Sequence, residues 1–397
     1  MSPASSTVSG TVSSRAPRLD VDALIDDPHT QIVVCCGSGG VGKTTTAAAL
    51  GLRAAESGRK VVVLTIDPAR RLAQSLGLTE LDNTPRPVTD IDTSAGGSLH
   101  AMMLDMKRTF DEVVIAHSEP GKAEQILENP FYQAVSSSFA GTQEYMAMEK
   151  LGQLKASAGT ADAPWDLIVV DTPPSRSALD FLDAPNRLGS FLDGRFIRLL
   201  TAPAKAGGRA GLKVFGVGVQ LVTGAMTKIL GGQMLTDVQT FVNALDTMFG
   251  GFRERADETY RLLSEDGTAF LVVAAPERDA LREASYFVDR LEADGMPLAG
   301  LVVNRIGRVS ATGVTPARAL AAAESLEDGG GPKSASNAAG LLRLHAALVR
   351  TAERQRELAD RFSRSHPGIP VVQVPALGRD VHDLDGLREI GHALAGS

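Results

Sequence analysis

The sequence predicts an α/β fold, a doubly wound, mostly parallel sheet with an inserted helical subdomain, and three observations carry that expectation. Apolar runs of strand length recur along the chain: Ile32 to Cys36, Val61 to Ile66, Leu99 to Leu104, Leu167 to Val170, Phe270 to Ala274, Leu298 to Val303 and Val371 to Val374. They are continuous rather than alternating, as strands covered on both faces require. Several are followed by helical patterns, as in Lys43 to Ser57 and Ala280 to Ala293, which is the βα rhythm of a doubly wound sheet. A glycine-rich stretch, Gly37-Ser38-Gly39-Gly40-Val41-Gly42-Lys43-Thr44, joins the first run to the first long helical pattern.

Taken in order, residues 1 to about 18 carry Ser, Thr, Pro, Ala and Gly with almost no large apolar side chains, too little to offset the entropy of ordering them. The expected plan is a disordered tail and lead-in over 1–30 and one folded domain over 31–397. Strand signals fade between Leu104 and Asp166 and again from Ala178 to about Leu263, so the helical subdomain is assigned to about 106–164 and 178–263. Within the second part, Gly211 to Leu235 is apolar, rich in glycine and charged only at Lys213 and Lys228. Two readings stay open for it: a buried helix pair, or an apolar surface for a hydrophobic client or a membrane-associated partner. Ser325 to Gly340 reads as a surface loop, followed by a helix whose Leu341, Leu344, Leu348 and Phe362 share a face.

Composition narrows the chemistry. The 397 residues are 43% hydrophobic and 22% charged with a formal net charge of −7, and no block of like charges forms a basic footprint, so nucleic acid is not an expected partner. No apolar stretch approaches the roughly 18 residues needed to span a bilayer. A cytoplasmic protein is expected, with a peripheral place at a membrane left open. Cys35 and Cys36 are adjacent, so on a strand their side chains point to opposite faces and cannot grip one metal ion. They read as small buried hydrophobes. The histidines lack ligand spacing and read as structural or solvent-facing.

The pattern G-x-x-x-x-G-K-[ST] is filled by Gly37, Gly42, Lys43 and Thr44 between a strand and a helix, the setting of a phosphate-binding loop. Glycines let the backbone curl so that successive N–H groups face phosphate oxygens, and the helix N-terminus adds positive potential. Lys43 would neutralise the outer phosphates and Thr44 would offer its hydroxyl to Mg²⁺. A carboxylate closing a second buried strand is the natural partner of that ion, and Asp171 sits there, ahead of the stiff run Thr172-Pro173-Pro174-Ser175-Arg176. Asp67 ends the strand Val61 to Ile66 and is a candidate for orienting an attacking water. Guanine readers place Asn-Lys-x-Asp after a late strand, whereas Asn304-Arg305-Ile306-Gly307 lacks the aspartate; ATP is the expected nucleotide.

These residues together resemble the ArsA and Get-type ATPases, within the wider class that includes MinD, ParA and nitrogenase iron protein. Gly39-Gly40-Val41-Gly42-Lys43-Thr44-Thr45 is similar to that class's loop, and Thr65-Ile66-Asp67-Pro68-Ala69 to the family's first switch, whose aspartate activates water. Asp171-Thr172 resembles the second switch. Glu277, after Pro276, and Asn304 are similar in type and spacing to the family's glutamate and adenine-contacting asparagine. The resemblance implies a nucleotide site of Gly37, Ser38, Gly39, Gly40, Val41, Gly42, Lys43, Thr44, Thr45, Glu277 and Asn304, with Lys43 and Asp67 catalytic and Thr44 and Asp171 serving Mg²⁺, partly through water.

Three departures qualify it. Ser38 stands where the family carries a lysine, Arg71 stands where it often carries an asparagine, and the zinc-binding and metalloid-binding cysteines are absent. Arsenite would therefore lose its ligands and a zinc-clamped homodimer its clamp. The expected activity is ATP hydrolysis coupled to the movement of a dimer that handles a partner or hydrophobic client. The dimer pairs this chain with a paralogous lysine-bearing subunit, or is a homodimer in which Arg70, Arg71 or Arg176 replaces the lysine. Alternatives from other classes are a MinD/ParA-like positioning ATPase, a weakly hydrolysing subunit of a heteromeric ATPase, and a small-molecule kinase or ligase.

Overall fold

Ile32–Cys36 forms the central strand β1, with every side chain buried, because a run of β-branched and small apolar residues suits a strand packed on both faces. The computed structural model describes residues 16–67, 71–118, 120–136, 142–160, 165–173, 254–309, 311, 313–328 and 333–396. The other strands are β2 (Lys60–Thr65), β3 (Arg86–Pro87), β4 (Ser98–Met103), β5 (Leu167–Asp171), β6 (Thr268–Ala274), β7 (Leu298–Ile306) and β8 (Val371–Pro375). They form an 8-stranded sheet in the order β3-β4-β2-β5-β1-β6-β7-β8. All neighbours are parallel except the short β3, which runs antiparallel to β4.

Alternation along each strand divides the core between the two faces. Ile32, Val34 and Cys36 join Val62, Leu64, Ile168, Val170 and Phe270 on one face. Val33 and Cys35 join Val61, Val63, Val169 and Leu271 on the other. The two cysteines are thus free, buried and on opposite faces, as their adjacency predicts. Over the second face lie the helices Lys43–Glu56 and Leu384–Ala395, and against the first pack Thr142–Ser157 and Arg278–Ala293. Helices on both faces of a parallel sheet are the doubly wound architecture.

Between β4 and β5 the described residues include the helices Met106–His117, Pro120–Leu127, Pro130–Ser136 and Thr142–Ser157. A buried Glu149 on the last of these pairs with Arg255 at 3.0 Å, tying it to a helix that runs over 254–264. The rest of the segment expected to be helical, including Gly211 to Leu235, lies outside the described residues, as do residues 1–15. No described helix is long and apolar enough to cross a membrane.

Two expectations need correction. Pro17 to Leu19, placed at the end of the tail and in the lead-in, pair with the β8 edge: Val371 N donates to the Pro17 carbonyl at 2.9 Å and Leu19 N to the Val371 carbonyl at 3.2 Å. Ser325 to Gly340 is not a continuous loop, because the helix Pro316–Asp328 and the long helix Lys333–Ser365 take up both of its ends. Alanines within the run sustain helix despite its glycines and serines. Leu341, Leu344, Leu348 and Phe362 do fall on one face of the long helix, but that face is covered only toward its end: Phe362 is buried, while the three leucines are exposed.

Candidate functional site

Parallel pairing sets the carboxyl ends of the central strands level, and it is there that doubly wound sheets hold their ligands. Asp171 on β5 is in register with Cys35 on β1 and with Thr65 on β2. Loops leaving β1, β2 and β5 therefore start side by side.

The loop after β1 curls because its glycines adopt conformations that side chains resist. Gly37, Gly40 and Gly42 have φ values of 145°, 76° and 98°. A Cβ on Gly37 would lie 2.1 Å from the Val273 carbonyl oxygen, and one on Gly42 would lie 2.2 Å from Asn304 Nδ2. Both positions are closed to any other residue. At Lys43 the chain enters the helix Lys43–Glu56, whose first turn leaves backbone N–H groups facing the curl. Lys43 Nζ donates to the Ser38 carbonyl at 2.9 Å, holding the ammonium over the loop. Burial pulls the Lys43 pKa down, against the opposing pull of Asp171, the cysteines and Asp67.

Asp171 is fully buried. Thr65 Oγ1 donates to its Oδ2 at 2.8 Å, and Asp67 N donates to Thr65 Oγ1 at 3.2 Å, so one hydroxyl links the two carboxylate-bearing positions. Burial raises the Asp171 pKa to about 6, against hydrogen bonding from Thr44 and Thr65 and the positive charge of Lys43. Its Oδ1 is buried with no hydrogen-bond partner in the described structure. Thr172 N and Oγ1 both donate to the Cys35 carbonyl, at 3.2 and 2.9 Å, and fasten the chain leaving β5 to β1.

A buried carboxylate oxygen without a partner, beside a threonine hydroxyl and below a lysine, fits a hard divalent cation, which prefers oxygen ligands. No cluster of three or more His, Cys, Asp or Glu side chains suited to a metal exists among the described residues.

Gly40, Gly42, Lys43, Thr44, Thr45, Asp67 and Asn304 all line a cavity of about 900 Å³. The sequence therefore pointed to residues that the fold does bring together. Gly37, Ser38, Gly39, Val41, Asp171 and Glu277 are not part of the cavity lining, and Glu277 is exposed at the N-cap of the helix Arg278–Ala293. Of the arginines considered as replacements for the loop lysine, Arg71 lines the cavity, whereas Arg70 and Arg176 lie outside the described residues.

Other lining residues were not foreseen. Thr65 does not line the cavity, but it supports it from beneath through its bond to Asp171. The chain after β8 contributes Pro375, Leu377, Arg379, Asp380, Val381 and His382 to the cavity wall; the rule that ligands gather at strand carboxyl ends could have pointed there. Arg305 Nη1 donates to the Gly40 carbonyl at 2.9 Å, a contact that no motif announces.

Comparison with known proteins agrees with this arrangement. The family model described as anion-transporting ATPase matches residues 30–312. The ATPase GET3 of Ajellomyces dermatitidis (strain ER-3 / ATCC MYA-2586) is 24% identical over 286 residues, 71% of this chain and 75% of that protein. The ATPase get3 of Botryotinia fuckeliana (strain B05.10) is 24% identical over 288 residues, covering 72% and 75%. The ATPase ASNA1 homolog 2 of Paramecium tetraurelia is 22% identical over 287 residues, covering 71% and 78%. With a phosphate-loop geometry at the sheet's carboxyl edge and a family match over most of its length, the chain belongs to the anion-transporting, ArsA/GET3-like ATPase family.

Proposed function

We propose that this ATPase hydrolyses ATP with Mg²⁺ at the cavity beside the Gly37 to Thr44 loop, and that the reaction drives opening and closing of a dimer that handles a partner or hydrophobic client. The convergence of Lys43, Thr44, Asp67 and Asp171 at the carboxyl ends of β1, β2 and β5 carries this reading. Backbone N–H groups of the loop and Lys43 hold the β- and γ-phosphates. In phosphoryl transfer most of the catalysis is positioning and charge stabilisation. Thr44 and Asp171 hold Mg²⁺, Asp171 partly through water, and the ion supplies neutralisation of phosphate charge. Asp67 orients the attacking water toward the γ-phosphorus.

Ser38 leaves no lysine to reach across the interface, so the dimer pairs this chain with a lysine-bearing paralogue. The protein works in the cytoplasm, where its client side can meet a membrane-associated partner. Phosphate release by the purified chain, with and without Mg²⁺, tests the first part. Light scattering of this chain together with a co-purified lysine-bearing paralogue, in ADP and in a non-hydrolysable ATP analogue, tests the second. Activity that survives chelation, or no mixed dimer in either nucleotide, overturns the corresponding part.

A further inference from the structure

The end of β7 is irregular in a way that acts on the phosphate loop. Its register with β8 runs Val303 to Gln373 and then Ile306 to Pro375, so one extra residue is accommodated at Asn304–Arg305. Bulges are uncommon between parallel strands and serve to re-aim side chains. Arg305 takes φ 64°, a left-handed conformation unusual for a residue with its side chain, and its N–H is held by Asn304 Oδ1 at 2.9 Å. On a regular strand, consecutive side chains would point to opposite faces. Here both turn to the same neighbour: Asn304 Nδ2 donates to the Val41 carbonyl and Arg305 Nη1 to the Gly40 carbonyl, each at 2.9 Å.

Those two carbonyls belong to the consecutive peptide units Gly40–Val41 and Val41–Gly42. In a trans peptide the C=O and N–H point in opposite directions. Tying the Gly40 oxygen toward β7 therefore turns the Val41 N–H away from β7, and tying the Val41 oxygen does the same for the Gly42 N–H. Gly42 is the only residue type that leaves room for this grip, since a Cβ there would strike Asn304 Nδ2.

Resting on the nucleotide reading above, we propose that Arg305, with Asn304, is a positioning residue for phosphate: the pair pre-orients the Val41 and Gly42 N–H groups by holding the opposite ends of their peptide units. Donors fixed before the anion arrives need no reorganisation when it binds. Arg305 accordingly affects recognition of the phosphate chain whether or not a base is attached.

The test compares the parent chain with Arg305→Asn, whose side chain tolerates the left-handed backbone but is too short to reach Gly40, and with Arg305→Lys, which can restore one donor. Amide hydrogen exchange over residues 38–44 is followed without nucleotide, and affinities for ATP and for base-free inorganic tripolyphosphate are measured with magnesium. Arg305→Asn is expected to speed loop exchange several-fold and to weaken both ligands by a similar factor, about 3- to 10-fold for one exposed charge-assisted bond. Arg305→Lys should recover most of each. Unchanged exchange in Arg305→Asn overturns the proposal whatever the affinities do, because a direct ligand contact would leave the free loop alone. Weakened ATP with unchanged tripolyphosphate also overturns it, in favour of a base contact. Tripolyphosphate binding by the parent that is indifferent to Lys43→Ala would instead overturn the nucleotide reading, and the exchange comparison would still decide the role of Arg305.

Discussion

Thr65 Oγ1 donates its proton to Asp171 Oδ2 at 2.8 Å across the β2–β5 boundary, and it does so to a carboxyl group whose pKa burial has raised to about 6. Raised from an ordinary value near 3.8, that group favours the folded state most when protonated. Its contribution to stability is fully present below the unfolded value and is lost as pH rises through about 6. The change amounts to about 3 kcal/mol. Asp171→Asn is therefore expected to be more stable than the parent above pH 6, the advantage shrinking toward pH 4. Urea unfolding of both proteins across that range, without magnesium, measures the difference and cancels other carboxylates such as Asp22, whose pairing with Arg53 shifts it the other way. Thr65→Val, which removes a bond to the charged form, should move the midpoint of the change to higher pH. A difference between parent and Asp171→Asn that is flat with pH would contradict this account.

Lys43 sets its ammonium on the loop carbonyl at Ser38, and its burial means that water does not replace it well when it is removed. Lys43→Ala is expected to weaken ATP binding by on the order of 10²-fold, the equivalent of about 3 kcal/mol for a charge-assisted phosphate contact. Titration with a fluorescent ATP analogue reads this directly. Equal affinity in the variant would place the nucleotide away from the loop.

Asp67 presents a different expectation, because its backbone N–H is held by Thr65 Oγ1 while its side chain lines the cavity. Asp67→Asn keeps the shape and removes the charge that would orient water. Turnover should fall by roughly 10²-fold or more with ATP affinity nearly intact. Single-turnover hydrolysis beside equilibrium binding separates the two. A parallel fall in both would make Asp67 a metal or structural ligand.

How much of this could be read from the sequence follows from the range of the signals. β1, β2, β5 and β6 are continuous apolar runs bounded by charged or turn residues, and burial on both faces demands that composition locally. β3, only Arg86–Pro87, has no such run and exists because β4 offers it an edge. Between Ser325 and Gly340 the glycines and serines signal a loop, while the alanines that let the helices Pro316–Asp328 and Lys333–Ser365 continue into the run give only a weak local signal. At the site, Lys43, Thr44 and Asp171 are tied to strand ends by sequence and could be located there. Arg305 could not, since its reach depends on a bulge that appears only when β7 meets β8.

Ser38 is half-buried, with its carbonyl engaged by Lys43, and it occupies the position where the resemblance implies a second lysine. If that lysine supplies a transition-state contact across a dimer, restoring it here should restore the rate. Ser38→Lys is expected to raise the turnover of this chain alone by about 10²- to 10³-fold, corresponding to roughly 3 to 4 kcal/mol of charge stabilisation. ATP affinity should change far less, because the new contact forms with the partner's phosphates as charge moves during transfer. The competing homodimer, in which an arginine already fills the role, makes the opposite forecast. The parent chain would be brisk alone, Ser38→Lys would add little, and Arg71→Ala, which changes a residue of the cavity wall, would abolish turnover. Steady-state rates for these proteins at several chain concentrations discriminate the two. A slow parent that Ser38→Lys does not accelerate would remove the missing lysine as the reason for the slowness.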